Sequence, residues 1–142
     1  MRSFPFNILT FLAVAVLTTS CLHAAPIDNE KMLGLATALT KLTASVDSAV
    51  LNKGVDPSFK DQTLLDFSTA HDLSLLTPFD GYVLKARQSG QDSSVLVCGS
   101  DGQIALIEDT ACTPYPDLKI WQTSPNQPCD YVLDLAKACA VP

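Results

Sequence analysis

His71 and Asp72 are the first residues whose types suit chemistry, because a histidine beside a carboxylate can act as a general base. His71 is the only histidine after the first 24 residues. Hydroxyl groups close in sequence offer nucleophiles, namely those of Ser68, Thr69 and Ser74. No Gly-x-Ser-x-Gly elbow surrounds any of them, and a histidine without such a motif usually caps a helix or lies on the surface. The sequence therefore assigns no catalytic residue.

Carboxylates form a second candidate set, because Glu108 and Asp109 are adjacent and Asp101 lies in the preceding turn. Two carboxyl groups can hydrolyse a glycosidic bond when both of them flank it. Neighbouring residues of a strand point to opposite faces of the sheet, so Glu108 and Asp109 are expected to diverge. We interpret the pair as solvated carboxylates that limit strand pairing at a sheet edge.

A hydrolase hypothesis combines several of these groups. Lys85 and Arg87 share one face of a predicted strand, Glu108 is expected near them, and His71 would have to join them. Such a set is typical of small secreted ribonucleases with a helix packed on an antiparallel sheet. The net charge argues against an RNA substrate. Once Arg2 leaves with a signal peptide, eight basic residues remain against 15 acidic ones, a net charge of −7, and this charge repels nucleic acids and anionic membrane surfaces.

The first 24 residues have the layout of a secretory signal peptide. Arg2 precedes the apolar run Phe6–Leu17, and Ala24 supplies the small residue before the cut. We expect cleavage after Ala24, which leaves residues 25–142 as a single small secreted domain of about 118 residues. No later apolar segment approaches membrane-spanning length, so we expect an extracellular monomer without membrane insertion.

Four cysteines remain in the predicted mature chain: Cys98, Cys112, Cys129 and Cys139. An even number in a short secreted chain predicts two disulfides. Because no Cys-x-x-Cys pair is present, we predict neither a metal nor a cofactor. The connectivity depends on residues 129–139. A helix there holds its two cysteines ~15 Å apart and directs each one to Cys98 or Cys112, whereas a strand allows the local pairs Cys129–Cys139 and Cys98–Cys112.

The N-terminal half of the mature chain predicts two helices. Over residues 29–52, apolar residues recur at steps of three and four, with Asp28 as the N-cap and Gly54 as a left-handed stop. The apolar stripe consists of Met32, Leu35, Leu39, Leu42, Val46 and Ala49. A proline after Asp56 predicts a second helix that runs to about His71. The short link between the two favours antiparallel neighbours.

After Pro78 the apolar spacing changes to alternation, which predicts strands. Residues 82–87, 94–98 and 103–108 are expected to form an antiparallel meander, with an Asp-Gly turn before the last strand. Residues 118–122 are a fourth candidate strand. The predicted fold is therefore α+β: an N-terminal helical hairpin packed on a small antiparallel β-meander and stapled by two disulfides.

Aromatic side chains supply the candidate binding residues, because tyrosine and tryptophan are favoured interface anchors. The candidates are Tyr82, Tyr115, Trp121 and Tyr131. Tyr115 lies in the loop of residues 113–117, which two prolines stiffen and Cys112 tethers. A loop that is ordered before binding loses little entropy when it binds. Tyr115 and Trp121 are therefore the predicted binding residues.

The signal peptide, the short mature length and the four cysteines (Cys98, Cys112, Cys129 and Cys139) resemble those of the small secreted, cysteine-bridged proteins of plant-associated fungi, often called candidate effectors. This resemblance implies an effector role in virulence and assigns no catalytic residue to this chain. The leucine-rich helix over residues 32–50 is similar to the helical hydrophobic-surface-binding proteins of fungal cell walls.

Three functional hypotheses follow from the sequence. The first is a non-enzymatic secreted binding protein, an effector or an inhibitor of an extracellular host protein. The alternatives are a small secreted hydrolase of the ribonuclease type and a protein associated with cell walls or hydrophobic surfaces.

Overall fold

Helices cover one face of a three-stranded antiparallel sheet. The computed structural model describes residues 28–118, 120–131 and 135–139. The elements in chain order are α1 (Asn29–Asn52), α2 (Asp61–Thr69), β1 (Val83–Ser89), β2 (Asp92–Cys98), β3 (Ala105–Thr110) and α3 (Leu135–Ala138). Three 3₁₀ turns lie between them, at Leu73–Leu75, Thr77–Phe79 and Ile120–Gln122. Within the described ranges the α+β class is as predicted, with three helices, one sheet and two disulfides. The predicted signal peptide lies outside the described residues.

α1 is the longest element, and it begins and ends where its sequence predicts. Oδ1 of Asp28 accepts a hydrogen bond from the backbone N–H of Lys31 at 2.7 Å, which satisfies one free donor of the first turn. At the other end, Gly54 follows the C-cap with a φ of 61°. The predicted apolar stripe from Met32 to Ala49 is buried along its whole length, because it packs on the sheet. No helix in the described ranges combines the length and hydropathy needed to cross a bilayer.

α2 starts later than predicted. The Asp56 carboxylate accepts the N–H of Ser58 at 2.8 Å and forms a turn, and the helix begins at Asp61. The side-chain amide of Gln88 on β1 explains the delay, since it donates to the backbone carbonyls of Asp56 at 2.8 Å and Phe59 at 3.1 Å. This tertiary contact holds the segment against β1 in a non-helical conformation.

The sheet is the predicted meander, with the order β1-β2-β3. Its register pairs Leu84 with Val97 and Val97 with Ile107, and this row belongs to the main core beneath α1 and α2. The opposite face carries a second, smaller cluster, made of Leu96, Cys98, Ala105, Ile120 and Cys129. Both faces of the sheet are therefore buried, although α1 and α2 cover only one of them.

Residues from outside the sheet make hydrogen bonds to both of its outer edges. On the β1 edge, Oδ1 of Asp61 accepts the N–H of Ala86 at 3.2 Å. On the β3 edge, the carbonyl of Glu108 accepts the N–H of Asp117 at 2.7 Å, and residues 127–129 make further backbone hydrogen bonds with residues 103–105. These bonds occupy groups that would otherwise template pairing with another strand.

The predicted fourth strand over residues 118–122 is wrong. Ile120–Gln122 is a 3₁₀ turn, and Ile120 is buried in the second cluster, whereas Leu118 and Trp121 pack on the main core. The two residues that face the main core, Leu118 and Trp121, are thus three positions apart, whereas a strand would place such residues two positions apart. The segment lies beside β3 and contributes side chains to both clusters.

The disulfides are Cys98–Cys129 and Cys112–Cys139, with sequence separations of 31 and 27 residues. Cys98 at the end of β2 is bonded to Cys129, and Cys112, just after β3, is bonded to Cys139. Both bonds therefore join the sheet region to residues 129–139, here named the C-terminal segment, which is the kind of pairing that a helix over these residues requires. The helix itself is shorter than predicted, because α3 covers only Leu135–Ala138 and residues 129–131 are not helical, while residues 132–134 lie outside the described residues. Loops of this length give a stabilisation of roughly 3–4 kcal/mol for each bond.

Asp109 is a buried carboxyl on the side of β3 that faces α1. It is 5% exposed, and this burial raises the pKa of its carboxyl above the ordinary value, while the hydroxyls of Thr43 and Thr40 lower it in part. The pKa of Asp47 is raised as well, by burial and by the nearby charge of Asp92. At a pH near the ordinary carboxyl pKa, the folded protein therefore binds protons at these two carboxyls more tightly than the unfolded chain does.

Asp109→Asn is expected to make stability less dependent on pH. A raised folded-state pKa gives a stabilisation that is complete below the unfolded-state pKa of about 4 and is lost as the pH rises through the folded-state value. The amide cannot ionise, so the free energy of unfolding of the variant, relative to wild type, should rise as the pH increases from about 4 through the folded-state pKa of Asp109. Urea titrations followed by far-ultraviolet circular dichroism measure it.

Asp80→Asn, which changes an exposed carboxyl, is the matched control and should follow the wild-type profile. A constant difference between Asp109→Asn and wild type at every pH would contradict the expectation, because it would show that only hydrogen bonding had changed.

Candidate functional site

Tyr115 has the largest exposed fraction among the large apolar residues of the described chain, at 80%. Trp121, the other predicted binding residue, is half-buried and packs against the main core. Tyr82 and Tyr131 are half-buried too. Of the four aromatic candidates, Tyr115 is thus the one that is largely exposed.

Residues 111–118, here named the Tyr115 loop, are fastened to the sheet at several points. The N–H and the side-chain hydroxyl of Thr113 both donate to the carbonyl of Thr110, each at 2.8 Å. Cys112 is bonded to Cys139, and the N–H of Asp117 donates to β3 at 2.7 Å. The loop is therefore held on both sides of the tyrosine.

Local sequence restricts the same loop further. Pro114 and Pro116 flank Tyr115, and each proline fixes its own φ near −65°. The Thr113 hydroxyl also lies 3.3 Å from the carbonyl of Tyr115, to which it donates. The backbone around the exposed ring therefore has few alternative conformations to lose when a partner binds.

A polar cluster lies on the face of the sheet that the helices do not cover. The register aligns Lys85 on β1 with Glu108 on β3 across Leu96, and it aligns Arg87 with Thr110 across Ser94. The basic pair and the glutamate of the hydrolase hypothesis are therefore brought to one face, as their spacing predicted.

Glu108 is buried within this cluster and is 0% exposed. The hydroxyl of Ser94 donates to its Oε1 at 2.9 Å, and the hydroxyl of Thr110 donates to Ser94 at 3.1 Å. The prediction that Glu108 and Asp109 diverge is confirmed. The prediction that they are solvated is wrong, because helices cover one face of β3 and the C-terminal segment covers the other.

The two basic side chains hold the C-terminal segment over this face. Nζ of Lys85 donates to the carbonyl of Cys129 at 2.6 Å. The guanidinium of Arg87 lies 4.1 Å from the ring centroid of Tyr131 and 3.6 Å from a carboxylate oxygen of Asp130. These contacts join residues more than 40 positions apart, so no local pattern indicates them. Both basic residues therefore have partners within the chain, although the Arg87 side chain keeps 53% of its surface exposed.

The Tyr131 hydroxyl is buried and has no hydrogen-bond partner in the part of the chain that the structure describes. Burial raises its pKa well above the ordinary value, and the carboxylate of Asp61 acts in the same direction, while Arg87 opposes them. A hydroxyl in this state stays protonated at physiological pH and adds a desolvation cost to the fold.

His71 lies on the other side of the sheet from Glu108. It is exposed and follows α2, which packs in the main core. Its neighbour Asp72 accepts hydrogen bonds from the N–H of Ser74 at 3.0 Å and from its hydroxyl at 2.6 Å. These bonds lower the pKa of the Asp72 carboxyl. Asp72 thus caps a 3₁₀ turn, and the hydrolase residues are divided between two sides of the sheet.

A cleft of about 430 Å³ separates α1 from the two 3₁₀ turns that follow α2. Its lining residues are Gly34, Thr37, Ala38, Lys41, Asp72, Ser74, Leu75 and Pro78. The acidic residue of the lining, Asp72, already accepts two hydrogen bonds from Ser74. The lining contains none of the predicted binding residues.

No family model, curated protein or solved structure matches the chain. The geometry of the Tyr115 loop and of the polar cluster is therefore the guide to function, because a fold alone does not determine it.

Tyr131→Phe is expected to leave the free energy of unfolding within about 1 kcal/mol of wild type, or to raise it. The substitution removes a buried hydroxyl that has no described partner and keeps the ring over Arg87. Tyr131→Ala removes the ring as well, and should lower the free energy of unfolding by about 2 kcal/mol or more. Urea titration measures both. Equal losses in the two variants would show that the hydroxyl is bonded.

Proposed function

We propose that the protein is a non-enzymatic secreted binding protein that recognises an extracellular protein partner through the Tyr115 loop. The observation that carries the proposal is the 80% exposure of Tyr115 on a loop that a disulfide and backbone hydrogen bonds hold in place. An effector or an inhibitor of a host protein is the form of function that we propose.

A protein partner fits both the anchor and the charge. A tyrosine ring offers a large contact area with only two side-chain torsions to fix, and its hydroxyl can bond to a partner. Polyanionic partners are disfavoured, because the predicted mature chain carries a net charge of −7. The two disulfides are compatible with the extracellular location that the proposal requires.

In this proposal the N-terminal helical hairpin expected from the sequence is a scaffold. The apolar stripe of α1 is committed to the main core, so it leaves no long apolar face for lipid or for a cell-wall surface. The Lys85 and Arg87 side chains are likewise engaged by the C-terminal segment. These commitments favour a binding protein over the two alternative functions.

Tyr115→Ala should weaken binding to the partner by about 30-fold or more while the fold is retained, because a central aromatic anchor is worth about 2 kcal/mol or more. The partner is captured from extracellular fluid of the host with immobilised protein, and its Kd is then measured by titration calorimetry. Tyr115→Phe should keep most of the affinity. Far-ultraviolet circular dichroism checks the fold of each variant.

Leu73→Ala is the matched control, since Leu73 is 68% exposed but lies outside the Tyr115 loop. Its affinity should equal that of wild type. A captured protein that binds Tyr115→Ala and Leu73→Ala equally well would overturn the role of the loop.

A further inference from the structure

The two disulfides lie in contrasting surroundings. Cys98 and Cys129 are 0% and 8% exposed and belong to the second cluster. Cys112 is exposed and Cys139 is half-buried. A thiolate must reach a sulfur along the line of the S–S bond before exchange can occur, so exposure determines which bond reacts. Cys112–Cys139 is the bond that an external thiol can attack in the folded protein.

A carboxylate lies beside this exposed bond. One carboxylate oxygen of Asp92 and the Sγ atoms of Cys112 and Cys139 all lie within 4.8 Å of one another. The two sulfurs are bonded to each other, so they are not thiolate ligands for a metal. A negative charge at this distance repels an approaching thiolate and destabilises the thiolate that leaves.

We propose that Cys112–Cys139 is a thiol-exchange site at which Asp92 selects against anionic thiols. The thiolate of a low-molecular-weight thiol attacks Sγ of Cys112. The Cys112–Cys139 bond breaks, and its electron pair leaves with Sγ of Cys139 as a thiolate. A second thiol molecule then displaces Cys112 from the mixed disulfide. The products are the disulfide of the reagent and two cysteine thiols, which take up their protons from water.

Exchange at this bond affects one part of the molecule. The bond ties the Tyr115 loop to α3, whereas Cys98–Cys129 stays shielded and keeps the second cluster closed. The backbone hydrogen bonds of Thr113 and Asp117 to β3 and its end remain in place. Opening therefore releases the C-terminal attachment of the loop without unfolding the sheet.

Timed alkylation of the purified, oxidised protein tests the proposal. The reagents are 2-mercaptoethanesulfonate, which is anionic, and cysteamine, which is cationic. Each rate of disulfide opening is divided by the concentration of the thiolate form of the reagent. Peptide mapping by mass spectrometry assigns each bond. Cys112–Cys139 should open at least about tenfold faster than Cys98–Cys129, and a mixed disulfide trapped with acid should lie on Cys112.

Asp92→Asn supplies the test of charge selection. It should raise the rate with the anionic thiol, relative to the rate with the cationic thiol, by about three- to tenfold. Asp80→Asn makes the same change of charge at the opposite end of the sheet and should leave this ratio unchanged. The ratio of the two rates is used because a variant that only makes the disulfide more accessible would raise both rates by the same factor and leave their ratio unchanged.

Three results would overturn the proposal: equal opening of the two bonds, earlier opening of Cys98–Cys129, or a rate ratio that Asp92→Asn does not change. None of these measurements involves a binding partner, so their outcome is independent of the proposed function of the Tyr115 loop.

Discussion

The Cys98–Cys129 disulfide is the constraint on which the rest of the structure depends. A short chain with one layer of helices can cover only one face of its sheet with regular structure, and the other face must be closed in a different way. Here the irregular segment around Cys129 closes it, and the disulfide anchors that segment to the end of β2. Lys85 and Arg87 hold the same segment through its backbone and through the ring of Tyr131.

This closure changes the chemistry of β3, because its two neighbouring acidic residues become buried on opposite faces. Glu108 is supplied with a hydroxyl donor, Ser94, from the adjacent strand. Asp109 faces the threonines of α1, and its burial favours the protonated form. A buried carboxyl needs a hydrogen-bond donor, a proton or both, and hydroxyl groups lie beside both of these carboxyls.

The packed core and the proposed binding residue are separated in space. The apolar stripe of α1 and the polar cluster of the sheet are both used for internal contacts, and the exposed ring of Tyr115 projects from the margin of the molecule. Rigidly held loops on a packed scaffold are the usual place for binding residues. The two disulfides follow the same division: one closes a core, and the other fastens the loop to the C-terminal helix.

The sequence by itself determined the features that depend on residues close together in the chain. These are the span and caps of α1, the three strands of the meander, the even number of cysteines and the stiff loop around Tyr115. The late start of α2, the 3₁₀ turn at Ile120–Gln122 and the burial of Glu108 were decided by the tertiary structure. Caps and periodicity act within one or two turns of chain, whereas Gln88 reaches back about 30 residues to delay α2. Whether a carboxylate on a strand meets water depends on what covers its face, and here that cover comes from a segment that only the folded chain brings into place.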